Sequence, residues 1–275
     1  MALLLLVLVT VVGCTTRTAA GLHVEELRIP VSFPDEELVL EGLVVRPDKA
    51  GTYPMVVLTH GAPRLARQRA NRRASDLLHQ AAALAEAGWT AAVIVRRGYG
   101  ASGGEFAEGY GRCDDPDYVR AGNATAEDLR AAVRYLRTLD FVDPNRVAVV
   151  GQSAGGFGAV ALSASPAPGM VAAVSIAGGR GSRSSGEVCS PARLVEAFSK
   201  YGAAAQVPML WLYPDENDYF PRPLVEALHG AYTRAGGTAT LRLVDGDHNL
   251  FYRPAEIEHW RRIVIQFLSE YLDAR

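Results

Sequence analysis

Five short runs of nearly uninterrupted apolar character, at 55–59, 90–95, 147–150, 171–176 and 208–212, with a weaker sixth at 240–244, constrain this chain's fold more than any other feature. A strand with one wet face alternates apolar and polar residues, whereas a strand covered on both faces is apolar throughout. Helical patterns fill the intervals. The segment 74–87 stops at Gly88, and 126–139 follows Thr125 with Asp128 three residues on, a variant of the capping box. The segment 153–163 is rich in alanine, and 224–234 runs into Gly236-Gly237. The last, 257–272, puts Trp260, Ile263, Val264, Phe267, Leu268 and Tyr271 on one face. This alternation predicts an α/β fold, with a doubly wound, mostly parallel sheet covered by helices on both sides. Ahead of it, 27–33 and 38–46 are β-prone runs joined by Pro34-Asp35-Glu36-Glu37, which predicts an N-terminal antiparallel hairpin.

A chain of 275 residues accommodates one large α/β domain, and 49% hydrophobic with 21% charged residues excludes a disordered or fibrous class. The 28 basic and 30 acidic residues leave a net charge of −2, which offers no general attraction for nucleic acid. No cysteine and histidine spacing matches a zinc site, and neither a metal nor an organic cofactor is expected. The stretches 96–123 and 178–191 are long and irregular, which marks them as candidate walls of a site.

The first 13 residues form an apolar run too short to span a bilayer, since about eleven helical residues reach roughly 17 Å against a core of about 30 Å. They read as a signal peptide, although no Lys or Arg precedes the run. Gly13-Cys14 after Val11-Val12 resembles the lipobox of bacterial lipoproteins, which implies a lipid on Cys14 and an exported, envelope-associated chain. Residues 14–24 would then be a tether and 25–275 the folded domain. In an oxidising compartment Cys113 and Cys189 either pair or remain two thiols.

Gly151-Gln152-Ser153-Ala154-Gly155 fits Gly-x-Ser-x-Gly, and its context supplies the weight that the motif alone lacks. A predicted strand enters it and a predicted helix leaves it, which is the setting for a serine raised on a sharp turn. A serine hydroxyl needs a base, and the base needs an acid to fix its tautomer. Asp215 and Asp218 follow the strand at 208–212, and His248 follows the last strand, in the order Ser, Asp, His. The backbone N–H groups of Ala154 and of Ala62, in His60-Gly61-Ala62-Pro63, are candidate oxyanion donors. His60 is given no catalytic role. Arg96 and Arg97 are expected to anchor the Gly-rich loop, and Tyr99 to line the substrate pocket. The cluster Arg64, Arg67, Arg69, Arg72 and Arg73 is either a solvated helix entry or a recruiter of anionic substrate.

Taken in order, His60-Gly61-Ala62-Pro63, Arg97-Gly98-Tyr99-Gly100-Ala101-Ser102-Gly103-Gly104, Asp143-Pro144-Asn145-Arg146-Val147, Gly151 to Gly156 and Asp247-His248-Asn249-Leu250-Phe251 resemble the α/β-hydrolase superfamily. Within it the chain is most similar to the dienelactone-hydrolase-like and prolyl-oligopeptidase-like serine hydrolases. The resemblance spans about residues 25 to 272 and implies an eight-stranded, mostly parallel sheet with a triad of Ser153, His248 and Asp218, the last preferred over Asp215. The chain departs from dienelactone hydrolase proper in having a serine nucleophile, and Asp247 stands where a glycine is often found. The implied activity is hydrolysis of a small carboxylic ester through an acyl-enzyme intermediate. The rivals are a peptidase or amidase, and a catalytically silent ligand-binding lipoprotein.

Overall fold

The computed structural model describes residues 15–17 and 21–274. The signal peptide expected at 1–13 and the expected lipid site at Cys14 lie outside the described residues. In chain order the elements are β1 (Thr15–Arg17), β2 (Leu22–Ser32), β3 (Glu37–Pro47), β4 (Tyr53–Thr59), α1 (Leu78–Ala85), β5 (Thr90–Ile94), α2 (Tyr118–Leu136), β6 (Val142–Gln152) and α3 (Ala154–Ser163). They continue with β7 (Met170–Ile176), β8 (Ser182–Ser184), β9 (Glu187–Val188), α4 (Pro191–Ala204), β10 (Met209–Glu216), α5 (Arg222–Arg234), β11 (Ala239–Asp247) and α6 (Ile257–Leu272).

The main sheet runs β1-β2-β3-β5-β4-β6-β7-β10-β11. The eight long strands are the eight expected, and β1 adds a short ninth at the edge. Pairing is parallel from β5 through β4, β6, β7 and β10 to β11, and antiparallel among β1, β2, β3 and β5. The expected hairpin is β2 and β3, in register from Leu22 opposite Pro47 to Ser32 opposite Glu37. Part of the expected tether is therefore in the sheet, with Thr15 opposite Glu25.

The apolar runs are continuous because neighbouring residues serve different cores. Met55, Val57, Val147 and Val149 pack with α2, α3, α4 and α5, while Val56, Leu58, Ala148 and Val150 pack with α1 and α6. Each fully buried Val or Leu contributes roughly 1.5–3 kcal/mol. Helix α6 shows Trp260, Val264, Leu268 and Leu272 to the sheet at a spacing of four, and Trp260 meets Phe251 at 4.8 Å between ring centroids.

Helix α2 starts eight residues before the expected position, with the Asp117 side chain accepting from Arg120 N. Asp128 is therefore not an N-terminal cap but a buried residue of the helix, accepting from the Arg97 backbone N–H at 3.0 Å. Helix α4 follows the second irregular stretch and buries Leu194, Ala197, Phe198 and Tyr201.

Parallel strands all deliver their C-terminal ends to one edge of the sheet. Here that edge collects His60 after β4, Ser153 after β6, Asn217 after β10 and His248 after β11.

Candidate active site

Ser153 lies between β6 and α3 with φ 53° and ψ −116°, a region that a non-glycine residue adopts at a cost of about 1–3 kcal/mol. The neighbouring glycines make the turn sterically possible. A Cβ on Gly151 would sit 2.2 Å from the Gly155 carbonyl oxygen, and one on Gly155 would sit 2.6 Å from the His60 carbonyl oxygen. Both clashes are with backbone, which cannot swing aside. Gly151→Ala is expected to destabilise the fold by about 3 kcal/mol, read as a lowered urea midpoint at unchanged slope.

The Ser153 side chain opens into a cavity of about 520 Å³, whose lining includes Ala62, Ala154, Tyr99, Tyr219 and Phe220. Neither the Ala62 nor the Ala154 backbone N–H has an acceptor among the described residues. Two unpaired donors beside a raised serine are the elements of an oxyanion site. Tyr99 is among the lining residues, and its hydroxyl donates to Glu108 Oε2 at 3.0 Å.

His248 is almost fully buried. Its ring stacks on Tyr219 at 3.8 Å between centroids, 9° from parallel, and the Arg64 guanidinium lies 3.7 Å from the same Tyr219 centroid. Two groups that close to one centroid must occupy opposite faces of the ring. Burial, then the charge of Arg64, lowers the imidazole to about 3 against a smaller raising effect of Asp247.

The partner of His248 corrects the expectation from sequence. Nδ1 faces Asn217 Oδ1 at 3.1 Å, whereas Asp218 is exposed and its backbone oxygen takes the Gly186 N–H. Asp215 is also exposed. The reason lies at the end of β10. Strand pairing with β11 shifts register between Pro214 and Glu216, and the chain then turns at Asn217, whose Oδ1 accepts from Tyr219 N at 3.0 Å and Phe220 N at 3.1 Å.

Those two backbone donors identify the atom facing His248 as the amide oxygen, so Nδ1 carries the hydrogen and Nε2 keeps its lone pair. Asn217 thus fixes the tautomer that a base requires while supplying no negative charge. Its Nδ2 is buried without a partner among the described residues, in a place where a carboxylate would carry no hydrogen. Nε2 of His248 faces Gln152 Nε2 at 3.4 Å, and Ser153 Oγ has no hydrogen-bond partner among the described residues. The His248 ring therefore faces Gln152 and makes no hydrogen bond to Ser153 among the described residues.

Beneath the cavity a buried network holds the loops. Arg96 pairs with Glu108 and donates to Thr59 Oγ1 and the His60 carbonyl, both at 2.6 Å. The first irregular stretch is thereby locked to the Ala62 loop. Burial opposes the Glu108 charge, but the facing Arg96 and Arg180 guanidiniums hold its carboxyl well below the usual range. His60 is structural: its Nδ1 donates to the Gly61 carbonyl at 2.8 Å, its Nε2 accepts the Arg96 N–H at 3.2 Å, and burial followed by Arg96 lowers its pKa. Arg97 anchors its loop to Glu127 and Asp128 of α2, as expected. Cys113 and Cys189 form a disulfide that ties the two irregular stretches together.

The sequence pattern of the prolyl oligopeptidase family matches residues 75–179. Quorum-quenching protein AidA of Acinetobacter baumannii is 28% identical over 142 residues, 52% of this chain and 41% of that protein. The chain thus spans about two fifths of that curated relative. A putative dienelactone hydrolase from Klebsiella pneumoniae superposes with a TM-score of 0.61 at 18% identity, covering 92% of this chain and 99% of that one. Pyrococcus horikoshii acylaminoacyl peptidase gives 0.65 at 16% identity, covering 92% of this chain and 42% of that one.

Proposed function

We propose that this chain, whose fold is that of the α/β-hydrolases, is a serine hydrolase of carboxylic esters. The observation that carries the reading is Ser153 at positive φ 53° on the strand-to-helix turn, lining the cavity beside the unpaired Ala62 and Ala154 donors. Ser153 Oγ attacks the ester carbonyl, His248 Nε2 takes its proton, and the two N–H groups hold the tetrahedral oxyanion. The imidazolium then protonates the departing alcohol, and water repeats the sequence on the acyl-enzyme. Asn217 replaces Asp218 in this mechanism and holds the His248 tautomer.

Esters are favoured over amides because the base is weak. With no carboxylate at Nδ1, His248 gains only the smaller stabilisation from Asp247 on taking the proton, and an amide demands more of the catalytic group than an ester does. The same residue is the observation that favours a second reading, a pocket that binds ligand without turning it over. A fluorophosphonate probe separates them. The ester reading expects one adduct, mapped by peptide mass spectrometry to Ser153 and absent from Ser153→Ala, and an unlabelled wild-type serine would refute it.

The apolar start with Cys14, and a disulfide that persists in oxidising surroundings, support an exported chain anchored by lipid.

A further inference from the structure

We infer that the ester substrate carries a carboxylate of its own, held on the arginine-rich wall of the Ser153 cavity. This rests on the reading of the site as an esterase and adds its substrate class. Arg64, Arg69, Arg180 and Arg183 line the cavity, and no Asp or Glu does among the described residues. In a chain of net charge −2 that is a strong local inversion.

The charges there are not balanced from behind. Arg180, 7% exposed, shares the single Glu108 carboxylate with the fully buried Arg96, so two guanidiniums face one acid. Arg64 donates to Ser182 Oγ at 2.9 Å and lies over Tyr219. Arg69 lies 3.8 Å from the Phe106 centroid, and neither it, Arg64 nor Arg183 has a carboxylate partner among the described residues.

Cationic groups gathered in a partly dry cleft repel one another unless an anion joins them, and a bound carboxylate supplies that anion. Stacking on aromatic faces leaves guanidinium edges free for paired N–H···O contacts and fixes their planes in advance. A cavity of about 520 Å³ is of the size that takes a small molecule, so the ester bond and the carboxylate fit within one pocket.

The test compares mono-4-nitrophenyl adipate, which ends in a carboxylate, with 4-nitrophenyl hexanoate, of equal acyl length and neutral. At low ionic strength kcat/KM for the adipate is expected to be at least tenfold higher, chiefly through KM, with the ratio shrinking as salt is added. Arg69→Gln and Arg183→Gln are each expected to lower the ratio severalfold. A ratio at or below one, or a ratio unmoved by both substitutions, overturns the inference. A binding arm keeps it separate from the esterase reading: calorimetry of adipate monoethyl ester with the Ser153→Ala protein should give millimolar or tighter binding that weakens in Arg183→Gln. If the wild type hydrolyses neither ester but the anion still binds, the esterase reading fails and the carboxylate site stands. Absence of binding in this arm also overturns the inference.

Discussion

Asn217→Asp is expected to raise kcat for ester hydrolysis by about tenfold to a thousandfold. The change is isosteric, and the two backbone N–H groups that now hold the amide oxygen, from Tyr219 and Phe220, would hold a carboxylate oxygen equally well. What changes is charge. A carboxylate 3.1 Å from Nδ1 would stabilise the imidazolium that forms as Ser153 loses its proton, and an opposite charge at that range raises a histidine pKa by about 1–3 units. The groups already facing His248 set the starting point: burial first, then Arg64, lower it to about 3, and Asp247 opposes them.

The sign for pH follows. A base with a pKa near 3 is already deprotonated at pH 5, so wild-type kcat/KM should be flat from pH 8 down to pH 5. Raising that pKa moves the acid limb upward, and Asn217→Asp should lose activity below roughly pH 5–6 while exceeding the wild type above it. Paired pH–rate profiles, with intact mass confirming the amide or acid at 217, check this. Equal rates and superimposable profiles would show that Asn217 does not act through His248.

The sheet was legible from the sequence because double burial removes polar residues from whole strands, which is why 55–59, 147–150 and 171–176 stand out. Ser153 and its glycines were legible for a related reason: a sharp turn between strand and helix leaves a spacing that can be read. The partner of His248 was not. Its identity depends on how the chain turns at Asn217 after β10 and on a register shift against β11 between Pro214 and Glu216, and such irregularities leave no mark in a single chain. A signal existed in the chemistry, since asparagine readily bonds to backbone N–H groups two residues on.

Glu108 was missed although Arg96 pointed to it. An arginine placed at the end of a fully buried strand requires an acid, and Glu108 is the buried acid among the Gly-rich residues that follow. The early start of α2 was hidden by Gly122, which looks like a helix breaker. In the fold a Cβ there would meet Tyr201 Oη at 2.4 Å, so the glycine answers to packing between α2 and α4. Helix α4 was overlooked despite Ser190-Pro191, a recognised helix entry, and the 194, 197, 198, 201 pattern behind it.

Removing the disulfide, as Cys113→Ser with Cys189→Ser, is expected to cost about 4 kcal/mol, the chain-entropy value for a closed loop spanning 76 positions. For a domain of this size that lowers Tm by roughly 8–16 °C. The bond joins the residues after Gly109-Tyr110-Gly111 to those after Gly179-Arg180-Gly181, two segments that both line the cavity. Around it the same two segments are linked by Ser190 Oγ to the Cys113 and Asp114 carbonyls at 3.1 Å and by Tyr118 Oη to the Cys189 carbonyl. Those bonds persist in the double variant but no longer restrict the unfolded chain, so the loss should appear mainly as stability. Adding a thiol reductant to the wild type should reproduce the same drop in Tm. A melting temperature that neither reductant nor the double substitution moves by more than about 2 °C would show that the cross-link does not constrain this fold.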